Sequence, residues 1–177
     1  GYVRTGDGAV HMHPYTAALQ QRLREDVRVV NAGRSGALVE QVFLRTVPRL
    51  SALSSTPRQH AVVALAGSND LGSGHGAAEV LQRLHALWQR VRATAGVRVL
   101  VVVTIPECAH KLPYLEAARA QVNAGVREYA AAHAADVALL DLCARVPYTD
   151  GSELWSDGLH LSPRGYDHFG QLVAEAL

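Results

Sequence analysis

Residues 156–162, SDGLHLS, place Asp157 and His160 three apart on a loop, with a glycine between them. A carboxylate beside an imidazole is a pairing that moves protons in hydrolytic catalysis. Two other polar loops are chemically suggestive: NAGRSG at 31–36 and GSND at 67–70. Each has a plainer reading when taken singly. Asp-Gly is a common turn pair, and a loop histidine commonly meets only solvent. NAGRSG reads as a glycine-rich turn, and GSND as a turn in which Asn69 or Asp70 caps a helix. Their weight comes from occurring together, in this order, at the ends of expected strands.

The elements that would carry these loops alternate. Residues 14–25 read as a helix with Leu19 and Leu23 on one face, VRVVN (27–31) as a short β-branched strand, and 36–50 as a helix. HAVVALA (60–66) is a continuous apolar run leading into GSND. Across 76–95, Val80, Leu81, Leu84, Leu87, Trp88 and Val91 recur at helical spacing, with Gly96 as the cap. VRVLVVVT (97–104) is the most strand-like segment. Leu115 to about Ala132 is helical, and DVALLDL (136–142) is another buried strand. Ser162 and Pro163 open the last helix as N-cap and first residue. Leu161 and Tyr166 are spaced for a hydrophobic staple, and Tyr166, Phe169, Leu172, Val173 and Ala176 form an apolar face. Strands apolar on both faces, alternating with helices, imply an α/β fold: a parallel sheet covered on both sides, in three layers. Sites in such sheets lie beyond the carboxyl ends of the strands, where these loops fall. No repeat, low-complexity tract or linker divides 1–177, which reads as one domain.

Composition excludes several function classes. The chain has 177 residues, 49% hydrophobic and 19% charged, enough to bury a sizeable core. A net charge of +1 with scattered arginines argues against a nucleic-acid partner. No apolar run reaches membrane-spanning length and no signal peptide is recognisable. The two cysteines, Cys108 and Cys143, form no disulfide framework and suit a reducing compartment, so a cytoplasmic location is expected.

The three loops together resemble the blocks of the SGNH hydrolases, also called the GDSL esterase/lipase family, over nearly the whole chain. NAGRSG is similar to the second block, GSND to the third and SDGLH to the fifth. The resemblance implies a flavodoxin-like parallel sheet and hydrolysis of carboxylic esters without a cofactor or metal. Gly36 would give its N–H, and Asn69 its side-chain amide, to an oxyanion hole. His160 would be the base that takes a serine proton, and Asp157 would hold its imidazole. Losing one oxyanion donor costs about 3–4 kcal/mol in barrier.

The nucleophile is expected outside these residues. The family carries its serine in a Gly-Asp-Ser-Leu block at the end of the first strand, often followed by a small residue and Gly-Tyr, and Gly1-Tyr2 matches that continuation. Gly6-Asp7-Gly8 has glycine where serine is needed, and Ser35 and Ser68 belong to the oxyanion blocks. The alternation also begins on a helix, so the central strand is expected upstream of Gly1, or on a companion chain, seated between 27–31 and 60–66.

Other residues carry open alternatives. His11 and His13 could ligate a metal, but no further ligand completes a recognisable spacing, and a surface or pocket-rim loop is favoured. Cys108 and Cys143 read as buried small hydrophobes rather than thiol nucleophiles. Trp155 either lines the substrate pocket or anchors the loop, and Arg34 either meets an acidic substrate group or is solvated. The expected partner is a small-molecule, lipid or carbohydrate ester. Rival readings are a carbohydrate acetylesterase, an acyl-thioesterase or a lysophospholipase on the same scaffold, a flavodoxin-like nucleotide or flavin module, and a relative that has lost its serine. Against the flavin module, no G-x-G-x-x-G fingerprint or P-loop is present.

Overall fold

A computed structural model describes residues 2–4, 10–54 and 59–177. Gly1, the Gly6-Asp7-Gly8 motif and 55–58 lie outside the described residues. The chain divides into two compact units. One combines Gly36–Ile105 with Leu112–Asp141 and Leu177; the other combines Gly1–Ser35, Pro106–Lys111 and Leu142–Ala176.

The first of these units contains the sheet. Strands β3 (His60–Ala64), β4 (Val97–Val103) and β5 (Val137–Leu140) run parallel in the order β3-β4-β5, with Val62 opposite Leu100 and Val102 opposite Leu139. β4 is central because its sequence allows nothing else: Leu100, Val101, Val102 and Val103 are all at most 2% exposed, so both faces must be covered. Helices α2 (Val39–Ser54), α4 (Ala77–Arg92) and α5 (Pro113–Ala132) supply the remaining core. α4 buries Val80, Leu84, Leu87, Trp88 and Val91, the expected stripe, and Leu81 packs over Gly125 of α5, where a Cβ would come within 2.5 Å of it. The carboxyl end of the sheet is tied by side chains. Thr104 donates its hydroxyl to Asp141 at 2.9 Å, and Asn123 grips both the N–H (2.7 Å) and the C=O (2.9 Å) of Ile105.

The other unit pairs α1 (Thr16–Arg22) with α7 (Pro163–Ala176). Their close approach needs Gly170, where a Cβ would meet the Tyr15 carbonyl at 2.6 Å and Ala18 Cβ at 3.0 Å. Ser162 caps α7 as expected, its hydroxyl accepting the Gly165 N–H at 3.1 Å, with Pro163 first in the helix.

Three expectations need correction. The described structure opens not on a helix but on an antiparallel hairpin, β1 (Tyr2–Arg4) with β2 (Val10–Met12). Residues 27–31 form no strand: the Gln20 side chain donates to the Val27 carbonyl and accepts the Val29 N–H, both at 2.8 Å, and so takes the place of a ladder. Val27 and Val30 are exposed. Cys108 and Cys143 are only half-buried, not core residues. Two short helices were not foreseen, α3 (Ser68–Gly72) and α6 (Leu142–Arg145). Among the described residues β4 is the only strand paired with β3, so 27–31 and β3 do not pair with each other.

Candidate active site

The loop before α7 brings Asp157 and His160 into contact. Gly158 between them is left-handed (φ +75°), and a Cβ there would come within 2.8 Å of Ala109 Cβ. Glycine therefore allows the tight turn that folds position 160 back over position 157. Asp157 Oδ1 accepts the backbone N–H groups of Leu159 (3.1 Å) and His160 (2.8 Å). Both carboxylate oxygens face the imidazole Nδ1, at 3.0 and 2.9 Å. Facing a carboxylate, Nδ1 is the donor in this pair, and in the neutral ring that is the tautomer a general base needs. Partial burial raises the Asp157 pKa, but the His160 N–H, the His160 imidazole and the Leu159 N–H outweigh it and hold the carboxyl below its usual range.

A second loop braces this one. Ala109 N–H donates to the Gly158 carbonyl at 2.6 Å, and Glu107 accepts the Tyr148 N–H at 3.0 Å while pairing with Lys111 at 3.3 Å. Trp155 is mainly an anchor: it is buried, its indole donates to the Pro147 carbonyl at 3.2 Å, and its ring meets Tyr148 edge-on. It also borders a cleft of about 450 Å³ beside Asp157, whose walls include Tyr148, Ser152 and Ser156. Arg34 is exposed.

The two residues expected as amide donors, Gly36 and Asn69, lie in the unit that holds the parallel sheet. Gly36 is left-handed (φ +74°) and exposed, just ahead of α2. Asn69 lies in the first turn of α3 and donates one amide hydrogen to the Ala37 carbonyl at 2.9 Å, leaving the other available. Gly67 makes that turn possible. At φ +107° it adopts a conformation side chains rarely take, and a Cβ would sit 3.0 Å from Ile105 Cδ1 and 3.1 Å from Val80 Cγ1. Neither Asn69 nor Asp70 caps α3; Asp70 instead accepts the N–H of Val39, the first residue of α2, at 3.0 Å.

The remaining candidates are scattered. His11 is exposed on β2, and His13 pairs with Asp167 at 2.8 Å. No cluster of three or more His, Cys, Asp or Glu side chains is placed to hold a metal ion among the described residues. No described helix is long and apolar enough to cross a membrane. Sequence reasoning missed the brace from 106–111 and the reach of Asp70. Both join positions more than thirty residues apart, so no local motif could signal them.

Solved structures share this fold. An aryl esterase of M. smegmatis is 20% identical with a TM-score of 0.75, covering 99% of this chain and 91% of its own. A carbohydrate acetylesterase from Sinorhizobium meliloti is 18% identical with a TM-score of 0.72 and the same coverages. TesA is 27% identical with a TM-score of 0.70, covering 93% of this chain and 87% of its own. These matches establish the α/β, parallel-sheet fold of the SGNH hydrolases. No curated protein matches the chain. The model of the GDSL-like lipase/acylhydrolase family matches residues 3–168, and the chain belongs to that family.

Proposed function

We propose that the complete protein hydrolyses carboxylic esters through a serine nucleophile, with His160 as general base, Asp157 as its orienting acid, and Gly36 N–H and the Asn69 amide as oxyanion donors. The observation that carries this reading is the Asp157–His160 pair, in which the carboxylate holds the imidazole by Nδ1. A serine Oγ attacks the acyl carbon and its proton passes to Nε2. The tetrahedral oxyanion meets the two amide donors. Collapse expels the alcohol, which takes the proton from Nε2, and water then releases the acid by the same steps. Among the described residues β3 pairs only with β4.

A second reading, a carbohydrate acetylesterase, is favoured by the cleft beside Asp157, where hydroxyl and aromatic side chains suit a sugar alcohol. Acyl-thioesters and lysophospholipids remain competing substrates within the family's chemistry.

The test uses the complete protein. Its kcat/KM is measured on p-nitrophenyl esters of increasing chain length and on an acetylated xylo-oligosaccharide, followed by labelling with a fluorophosphonate. We expect hydrolysis, a label on one serine, and at least a 10³-fold loss in His160→Ala with an unchanged melting curve. Near-normal turnover by folded His160→Ala would refute the assignment. A bound flavin spectrum with no turnover would favour the non-enzymatic reading.

A further inference from the structure

Asp70 has no exposed surface, yet it carries a carboxylate. Burying one is costly unless its oxygens are matched by donors. Its donors are informative: Oδ1 takes the Arg83 guanidinium at 3.0 Å, and Oδ2 takes the Val39 N–H at 3.0 Å. The preceding residue, Asn69, holds the Ala37 carbonyl at 2.9 Å. Two consecutive residues of α3 thus grip both sides of the 37–39 turn, one by its C=O and one by its N–H. Gly36 is the next residue upstream, and Ala37 and Val39 are themselves buried.

We infer that Asp70 is a positioning residue, backed by Arg83, that fixes the 36–39 turn against α3 and so sets the placement of the Gly36 N–H relative to the Asn69 amide. The inference rests on the oxyanion roles proposed above. A plain helix cap would need only the Val39 contact. The clamp explains more: the Asn69 amide is half committed to the same turn, so any slack at Val39 moves both donors. Misplacing a positioned group by about 1 Å can cost about 10²-fold in rate. Arg83 also holds Glu79 at 2.6 Å, so it retains an acid partner when Asp70 changes.

The experiment compares Asp70→Leu, Asp70→Asn and Asn69→Ala in the complete protein, with kcat and KM measured well below each variant's Tm. Asp70→Asn keeps an oxygen for the Val39 N–H and leaves Arg83 with Glu79. We expect it within about threefold of wild-type kcat. Asp70→Leu removes the acceptor and lowers kcat about 10- to 100-fold, with KM within about twofold. Should Asp70→Leu not fold, Val39→Pro removes the donor instead, at the first helical position where proline is tolerated, and the same kcat-specific loss is expected. Wild-type kcat in folded Asp70→Leu or folded Val39→Pro, a loss confined to KM, or failure of both of these to fold would overturn the positioning role. Loss in Asn69→Ala with full activity in Asp70→Leu would sink only this inference. No loss in Asn69→Ala would sink the oxyanion reading beneath it.

Discussion

Replacing Asp157 with Asn in the complete protein should separate activity from stability. Asp157 serves three donors: Oδ1 holds the Leu159 and His160 N–H groups and lies 3.0 Å from the imidazole Nδ1, and the second oxygen, committed to the imidazole alone, lies 2.9 Å from it. An asparagine can keep its one oxygen on the two backbone donors, so the turn survives. Its NH₂ group then replaces the second oxygen and faces Nδ1. Two donors cannot face each other, so the imidazole proton moves to Nε2 and the base can no longer accept one. In a Ser-His-Asp triad this wrong tautomer costs about 10⁴-fold in kcat. The Asp157 side chain is 31% exposed here, so water can partly replace its role. We therefore expect a loss of about 10³-fold, or about 4 kcal/mol of barrier. Stability should fall by less than about 1 kcal/mol, because the backbone bonds are kept. The assay is steady-state hydrolysis of p-nitrophenyl acetate beside a urea melt of the same preparation. A folded Asp157→Asn protein with more than a tenth of wild-type kcat would refute the tautomer argument.

Other outcomes follow from the same geometry. Asn69→Ala should lower kcat about 10²- to 10³-fold with little change in KM; a raised KM at constant kcat would make Asn69 a substrate contact. Gly67→Ala forces a Cβ into a left-handed position 3.0 Å from Ile105 Cδ1 and should cost about 1–3 kcal/mol, read as a fall of several degrees in Tm. Burial raises the Tyr15 hydroxyl to about 12, so between pH 10 and 12 the unfolded chain loses a proton that the folded one keeps, and stability falls as pH rises. Tyr15→Phe should remove about 2–3 kcal/mol of that decline, seen by comparing urea melts at pH 9 and 12. Asp157 has the opposite sign: its folded pKa is depressed, so its contribution is complete above the ordinary 3.8 and is lost only as pH falls through the lower folded value. An acid titration of loop resonances, wild type against Asp157→Asn, checks this.

How much of this was legible depends on where each residue's partners lie in the sequence. β4 and α4 could be read directly, because Leu100–Val103 and the stripe from Val80 to Val91 announce their burial through their own periodicity. The Ser162 cap and the Asp157–His160 pair were also legible, since donor and acceptor stand three residues apart. VRVVN misled because β-branched residues favour a strand only where a neighbour completes the ladder, and here Gln20, seven residues before Val27, satisfies the backbone instead.

The same principle divides the candidate site. The groups proposed to meet the substrate sit in short motifs, since a turn, a glycine and a polar side chain are a local matter. The groups that hold those motifs still are remote: Asp70 reaches Val39 across 31 positions, and Glu107 reaches the Tyr148 N–H across 41. Neither pair has a spacing that chemistry would single out, and each looks like ordinary loop polarity until the chain is folded. Yet a general base and an amide donor act only when their positions are fixed in advance of the reaction. The motif therefore states which chemistry is possible, and these distant contacts decide whether its groups stay in register.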